Sequence, residues 1–495
     1  MPHVAKDTGI ISAKVADGPV GGDARERYHA ARLAHWNALA QEGDDRRGWG
    51  GYYRRRLAHV CRAFVAPGCR VLEIGSGLGD LIALLGADNA VGVDFSPEMV
   101  RRARERHPHI QFICADAHDL GGLDGPFDLI ILSDLINDLW DVQEVLEHVA
   151  RLSTSRTRVV LNFHSRLWEP VLAVAGALGL ARPTLHQNWF TVSDAVNLIE
   201  LAGFEAIRHW EEVLWPLGTP VLAPAANRYL VKVWPFRWMA LTNFLLVRPR
   251  ARRRSTTPVV SVVVPARNEA GNIPQVFSRL PEMGGGTEII FVEGHSKDDT
   301  FAAILREVAA HPERRCQVFQ QTGEGKGDAV RLGYAHAKGD LLMILDADLT
   351  VPPEDLPRFY EAAQSGHGEF INGVRLVYPL EGEAMRFWNL VGNKFFGLAF
   401  SWVLGQPIKD TLCGTKVLWK SDYELIAANR RHFGDLDPFG DFDLLFGAAR
   451  LGLKIVDLPI RYRARTYGST NIQRWRHGVL LLRMVILAAR RLKFW

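Results

Sequence analysis

The chain has 495 residues, 47% of them hydrophobic and 23% charged; that composition excludes a disordered protein, and the length excludes a single ordinary core, so two domains of roughly 200 to 250 residues are expected. Net charge is only +4 and no base-reading motif is present, so no specific nucleic-acid partner is expected. Five cysteines, Cys61, Cys69, Cys114, Cys316 and Cys413, are scattered without a C-x-x-C pair, which speaks against a disulfide framework or structural zinc and for a reducing, cytoplasmic setting.

Residues 1–22 lack the continuous apolar core of a signal peptide and read as a flexible arm. The first strong pattern is "RVLEIGSGLGDLIALL", Arg70 to Leu85, a strand, a glycine turn and a helix start. Gly75, Gly77 and Gly79 let the backbone turn tightly and approach a ligand closely. "AVGVDFSPEMV" follows as a second strand ending at Asp94, placed to grip two ribose hydroxyls. "IQFICADAHDL" sets Asp116 after a third strand, and "FDLIILSDLIND" makes a fourth.

From Tyr52 to Arg250 these motifs resemble the class I S-adenosylmethionine-dependent methyltransferases. The glutamate of "LEIGSG" and the acids at successive strand ends separate the pattern from dinucleotide dehydrogenases, whose turn is typically G-x-G-x-x-G. The resemblance implies a Rossmann-like methyltransferase domain over residues 23–250 with S-adenosylmethionine as its cofactor. It places Glu73, Gly75 and Gly77 at the methionine end, Asp94 on ribose, and Asp116 with Ala117 on adenine. Ser76, Gly79, Phe95 and Ser133 complete the expected set. A hydroxyl methyl acceptor would benefit from a nearby base. His164, just past a fifth strand in "NFHSRLW", and His186 in "TLHQNWF" are the candidates.

"VRPRARRRSTTP", Val247 to Pro258, packs five arginines into seven residues before Ser-Thr-Thr-Pro, and residues 251–257 are read as a basic linker. It lies inside a longer stretch, Val213 to Asn268, that holds nine Lys or Arg and no acid.

Beyond the linker the α/β alternation resumes. "VSVVVPARNEAGNI" is a buried strand that breaks at Pro265 into a polar loop, "EIIFVEGHSKDDT" repeats the plan, and "GEGKGDAVRLGYAHAKGDLLMILDADLT" adds a glycine-lysine loop, a helix and a strand ending in Asp346-Ala347-Asp348. Two carboxylates this close repel unless something cationic sits between them. With Lys326 upstream, they suit a hard divalent cation bridging a diphosphate at a strand end.

These motifs look like a family 2 glycosyltransferase with the GT-A fold over residues 258–495. The resemblance implies a nucleotide-sugar donor, Mg²⁺ or Mn²⁺ on its pyrophosphate held by Asp346 and Asp348, and inversion at the transferred sugar. Pro265, Ala266, Arg267, Asn268 and Glu269 form its first nucleotide loop; Glu293, Lys326 and Ala347 join the donor site. Gly294 stands where the family writes an aspartate expected to touch the base.

The later half looks most like the dolichyl-phosphate mannose synthases. By that resemblance Arg375, Arg386 and Arg465 surround an acceptor phosphate, a dianion that guanidinium forks bind well. Asp410 aligns with the acid of a D-x-x-x-G segment, in a catalytic or a loop-ordering role. Asp441 falls where hydroxyl-glycosylating relatives keep a base, and the closing motif loses its lysine at Asn471.

"NKFFGLAFSWVLGQPIKD" and the acid-free C-terminus "HGVLLLRMVILAARRLKFW" read as amphipathic, membrane-surface segments or as core helices. No apolar run reaches the ~18 residues of a membrane span; Phe395 to Ile408, with 14 uncharged residues, comes nearest. The expectation is a two-domain α/β protein, a methyltransferase sheet followed by a GT-A sheet. It would glycosylate a lipid-linked, polyprenyl phosphate-like acceptor at the cytosolic membrane face and methylate a related sugar or intermediate. The alternative is a soluble or polysaccharide hydroxyl acceptor, with the first domain as a tailoring or binding module.

Overall fold

The apolar runs of the first half form a seven-stranded sheet: β1 (Arg70–Ile74), β2 (Asn89–Asp94), β3 (Gln111–Cys114), β4 (Leu129–Ser133), β5 (Arg158–His164), β6 (Phe204–Glu212) and β7 (Thr242–Pro249). The computed structural model describes residues 24–41, 51–178, 185–251, 253–378, 387–430, 440–463, 465, 467 and 474–494. The expected arm and Arg386 lie outside the described residues. The strand order is β3-β2-β1-β4-β5-β7-β6. The first five strands are parallel, and β7 runs antiparallel to both β5 and β6.

Parallel strands are covered on both faces and must be apolar throughout. Six consecutive residues of β5 are buried accordingly. Strand order reverses between β1 and β4, which opens a crevice at their carboxyl ends, where open α/β sheets receive ligands.

The second half repeats this logic with β8 (Val260–Ala266), β9 (Thr287–Glu293), β10 (Arg315–Gln320), β11 (Leu341–Ile344), β12 (Phe370–Val374), β13 (Lys416–Trp419) and β14 (Ile455–Pro459). Their order is β10-β9-β8-β11-β13-β12-β14, with β13 antiparallel between β11 and β12. Its crevice opens between β8 and β11, directly below Asp346.

Both disputed apolar helices serve two faces. Phe387–Leu404 sends Phe400, Val403 and Leu404 into the core and leaves Val391, Phe395 and Leu398 exposed. Arg474–Ala488 buries Leu481, Met484 and Ala488 but exposes Val479, Leu482 and Ile486. No helix among the described residues is long and apolar enough to cross a membrane.

The sheets meet through buried charge. Arg158, at the start of β5, donates to both oxygens of Glu369 (2.7 and 2.8 Å) and to the Gly452 carbonyl (2.8 Å). Arg248 lies 3.1 Å from the same carboxylate and donates to the Gly366 carbonyl at 2.9 Å. Burial would raise the Glu369 pKa, but the two guanidiniums outweigh it and hold the carboxyl below its ordinary range. Two arginine linker residues are also docked: Arg253 pairs with Glu361 (2.6 Å), and Arg254 stacks 3.6 Å over the Trp419 ring.

Candidate functional sites

The first crevice deepens into a cavity of about 1030 Å³, at the top of the range of about 300–1,000 Å³ usual for one ligand. The glycine turn forms its floor. Gly75 and Gly79 have φ of +78° and +77°; a side chain at Gly75 would meet Leu135 Cδ1 at 2.9 Å, and one at Gly79 would collide with Phe112. Asp94 ends β2 with both oxygens engaged, one by the Gly77 amide (2.8 Å) and one by the Ser96 amide (2.9 Å). Each oxygen keeps a lone pair for a ligand hydroxyl.

Glu73 is buried, accepts from the Ile82 amide at 3.1 Å, and is pushed by that burial up to about 8. Asp116 behaves oppositely: burial pulls its carboxyl up, but the ring and amide of His118 (both 2.9 Å) bring it down to about 2. Ser76 lines the cavity, its buried Oγ without a hydrogen-bond partner among the described residues. Phe95, Ala117 and Ser133 line it as well. A turn that admits only glycine, a carboxylate with spare lone pairs and an unpartnered buried hydroxyl together fit a nucleoside bearing an amino-acid tail.

One part of the cavity wall holds residues that sequence reasoning passed over. Asp134, one residue beyond β4, adopts φ +54°, rare and strained for a non-glycine residue. Its carboxylate accepts from Tyr53 Oη (2.9 and 3.0 Å) and from Asn162 Nδ2 (2.5 Å), and His164 Nε2 lies 3.7 Å away. Burial and the Asp134 charge raise the Tyr53 pKa well above its usual value, so it stays a donor. His164 lines the cavity, whereas His186 supplies its carbonyl to Arg32 (2.5 Å). The helix Ala24–Gln41 closes the opening: Arg32 pairs with Asp138 at 2.8 Å, and Trp36 Nε1 donates to the same side chain at 2.9 Å. The "SDLIND" acids carried a signal for this part; the covering helix carried none.

In the second crevice, just past the end of β11, Ala347 is buried and its two neighbours Asp346 and Asp348 are half-buried. Lys326 Nζ lies 2.6 Å from Asp346 Oδ1. Burial would lower the lysine's pKa, but the carboxylates of Asp346, Asp441 and Asp348 raise it above the ordinary value. Asp348 Oδ1 accepts from the Thr350 amide and hydroxyl (3.1 and 2.8 Å), and its Oδ2 lies 2.5 Å from Arg465. Arg465 also reaches Glu269 at 3.3 Å, tying the late loop to the first nucleotide loop. Burial pushes Glu269 up to about 7.

In the nucleotide loop, Asn268 has φ +58°; its amide donates to Ser296 Oγ (2.9 Å) and its Oδ1 accepts from the Lys297 amide (2.7 Å). Pro265 and Ala266 end β8, Arg267 follows them, and Glu293 at the end of β9 accepts from the Ser296 amide at 2.5 Å. At the Gly294 departure a Cβ would stand 3.0 Å from Gln321 Oε1, the movable end of a side chain, so packing does not explain the glycine.

Asp441 opens the helix Asp441–Arg450, almost fully buried, 3.3 Å from Lys416 Nζ. The alignment is too poor for a hydrogen bond, and its Oδ1 has no hydrogen-bond partner among the described residues. Arg375 and Asp410 form a closed pair: the guanidinium donates to both carboxylate oxygens (2.7 and 2.9 Å), and the Arg375 and Leu412 amides add two bonds of 3.1 Å. Burial opposes ionisation of Asp410, but Arg375 outweighs it and lowers the carboxyl. In this arrangement Asp410 orders its loop and Arg375 turns its fork inward.

Among the described residues no three His, Cys, Asp or Glu side chains gather as a metal cage. Asp346 and Asp348 nevertheless fit Mg²⁺ or Mn²⁺: magnesium commonly takes one or two carboxylates and completes its shell with phosphate oxygens and water.

Comparison with known proteins divides the chain the same way. Residues 71–155 match the family model Methyltransferase domain, and residues 261–408 match Glycosyl transferase family 2. Over 117 residues the chain is 40% identical to an undecaprenyl-phosphate 4-deoxy-4-formamido-L-arabinose transferase of Edwardsiella ictaluri, covering 23% of this chain and 36% of that one. It is 29% identical to the dolichol-phosphate mannosyltransferase of Pyrococcus furiosus over 43% of this chain and 59% of that one. The chain therefore spans between about a third and three fifths of these curated relatives. Among solved structures, magnesium protoporphyrin IX methyltransferase from Synechocystis PCC 6803 aligns with 46% of this chain and 97% of its own, at 19% identity and a TM-score of 0.32.

Proposed function

From a chain that carries a methyltransferase domain followed by a family 2 glycosyltransferase domain, we propose a bifunctional transferase. Its second domain moves a sugar from a nucleotide-sugar to a polyprenyl phosphate-like acceptor at the cytosolic membrane face, with inversion. The observation that carries the reading is the convergence of Lys326, Asp346, Asp348 and Arg465 at the end of β11, together with the polyprenyl-phosphate chemistry named for the relatives. Asp346 and Asp348 would hold Mg²⁺ or Mn²⁺, which supplies charge to the departing diphosphate. Lys326 adds a fixed positive charge on the same side, and the Asn268 and Glu269 loop shapes the nucleoside pocket.

The first domain methylates a related sugar or intermediate. S-adenosylmethionine supplies an electrophilic methyl group, and the chain's part is to align the acceptor and exclude water. Asp134, oriented by Tyr53 and Asn162, is placed to take the proton of an acceptor hydroxyl as the new C–O bond forms and the C–S bond breaks, with His164 beside it.

A second reading, a sugar hydroxyl as glycosyl acceptor, draws support from Asp441, whose Oδ1 is ion-paired with Lys416 but accepts no hydrogen bond among the described residues; a phosphate needs no proton removed. One experiment separates the readings: incubation with labelled nucleotide-sugars and either undecaprenyl phosphate in detergent or free glycans. A labelled lipid phosphate supports the first reading, and conversion of glycans alone replaces it with the second.

A further inference from the structure

The strands β6 and β7 are antiparallel neighbours, a pair that a loop of about two to five residues would normally join. Residues 213–241 join them instead, and the excursion contains no acid. Its outer surface is apolar and aromatic: Val221 is 82% exposed, Trp234 69%, Met239 60% and Trp238 59%. Six consecutive residues, Trp234-Pro235-Phe236-Arg237-Trp238-Met239, are all exposed. Water-exposed apolar surface this continuous is uncommon on a soluble monomer.

Three contacts fix where the excursion lies. Trp402 Nε1, on the helix Phe387–Leu404, donates to the Lys232 carbonyl at 3.1 Å. Arg228 donates to the Phe494 carbonyl at 2.9 Å, and the Tyr229 and Phe494 rings stand 5.5 Å apart. Both disputed apolar helices of the second domain therefore run up against this piece of the first. Around it lie Arg237, Arg490 and Arg491, all exposed, with no acid after Ile460 or between Val213 and Asn268. On its inner side Pro216 and Leu217 wall the methyl-transfer cavity.

We propose that the excursion is a docking surface for an anionic lipid bilayer, contributed by the methyltransferase domain. Tryptophan and tyrosine are the side chains that settle at a bilayer's interface, and arginines beside them answer the negative surface. Charge complementarity chooses the occupant: a cytosolic protein partner would need its own acid-rich apolar patch, whereas an anionic membrane presents both properties everywhere. Docking in this way brings the Pro216–Leu217 wall of the methyl-transfer cavity close to the lipid surface, beside the two apolar helices. The inference extends the lipid-linked reading above but rests on different residues.

The test is flotation of the full chain with vesicles of phosphatidylglycerol and phosphatidylcholine in equal parts, and with phosphatidylcholine alone. The wild-type chain is expected to float with the anionic vesicles, and the double variant Trp234→Ala/Trp238→Ala to lose about tenfold or more of that binding. Arg237→Glu is expected to weaken anionic but not neutral binding. Matching thermal unfolding curves show that each variant folds. Absence of wild-type flotation, or undiminished flotation of the double variant, overturns the proposal. So does a wild-type dimer that the double variant converts to monomer without any vesicle binding, which assigns the surface to a second copy. Sugar transfer to undecaprenyl phosphate in detergent, measured in parallel, tests the functional reading without this surface.

Discussion

Lys326 Nζ stands 2.6 Å from Asp346 Oδ1, so the lysine of the glycine-rich loop already neutralises the first acid of the paired motif. Arg465 does the same for Asp348 across the crevice. Each of the two neighbouring carboxylates therefore has its own cationic partner before any diphosphate arrives. Lys326→Met is expected to cut sugar transfer by about 100-fold, within the range for losing a preorganised electrostatic contact. Asp346→Asn is expected to cut it at least as far. Binding of S-adenosylmethionine, read by calorimetry, should stay unchanged in both. Sugar transfer within about twofold of wild type in Asp346→Asn would refute the role given to this acid.

Glu73 makes a prediction in which stability and binding part company. Its folded-state value of about 8 lies above the unfolded value of about 4.3, so the folded chain binds the extra proton between those limits. Stability therefore falls as pH rises through that window. Glu73→Gln removes the penalty while keeping the shape. The ligand-free variant should melt a few degrees higher than wild type at pH 8 and alike at pH 4. Affinity for S-adenosylmethionine should drop about tenfold, the size of one charge-assisted hydrogen bond. Equal melting temperatures at pH 8 would show that Glu73 ionises without cost.

Glu369 makes the opposite case. Arg158 and Arg248 hold its carboxyl below the ordinary range, so it stabilises the fold above the unfolded value of about 4.3 and loses that contribution as pH falls through its folded value. Glu369→Gln leaves Arg158 buried without its carboxylate and Arg248 with Glu205 alone (2.7 Å), and is expected to cost about 3 kcal/mol at pH 7. The difference should shrink below pH 4. Calorimetric unfolding at the two pH values reads it directly.

The sheets and their strand-end acids were legible because burial on two faces leaves continuous β-branched runs, and because glycine turns mark where the backbone must reverse. Asp94, Asp116, Asp346 and Asp348 each follow such a run. Asp134 was not singled out because its distinction is conformational: φ +54° and the Tyr53 bond depend on residues 81 positions apart in the chain. Arg375 resembled a phosphate ligand by position, yet only the fold brings Asp410 against it. The helix Ala24–Gln41 lacks a broad apolar stripe and closes the cavity through polar contacts such as Arg32 to Asp138, which no periodicity records.

Asp134→Asn tests the base assigned to methyl transfer. The amide keeps the size of the side chain and cannot take a proton. Turnover of tritiated S-adenosylmethionine with a membrane-lipid extract is expected to fall by about 10²- to 10⁴-fold. Cofactor affinity should remain within about twofold, since the Asp134 carboxylate is held by Tyr53 and Asn162. Tyr53→Phe, which leaves the carboxylate but frees its orientation, should cost less and shift the rate's pH profile. An Asp134→Asn variant of normal turnover would hand the proton to His164 or to water.

Gly414 offers the sharpest separation of fold from chemistry. A Cβ built there would overlap the Asp346 carboxylate and the Lys326 ammonium. Both are the free ends of flexible side chains, so the clash is relieved by moving them rather than the backbone. Gly414→Ala is therefore expected to lower the melting temperature by no more than a few degrees, since no backbone or core atom must yield. Sugar transfer, which depends on where those two ends point, should fall by about 10- to 100-fold. Gly397→Ala is the control: its Cβ would press on the Lys409 and Ile408 carbonyls, backbone atoms that cannot swing away. It should therefore lose stability first and lose activity only as the fold is lost. If Gly414→Ala instead melts early with its activity per folded molecule intact, the two side-chain ends are packing groups and not part of the donor site.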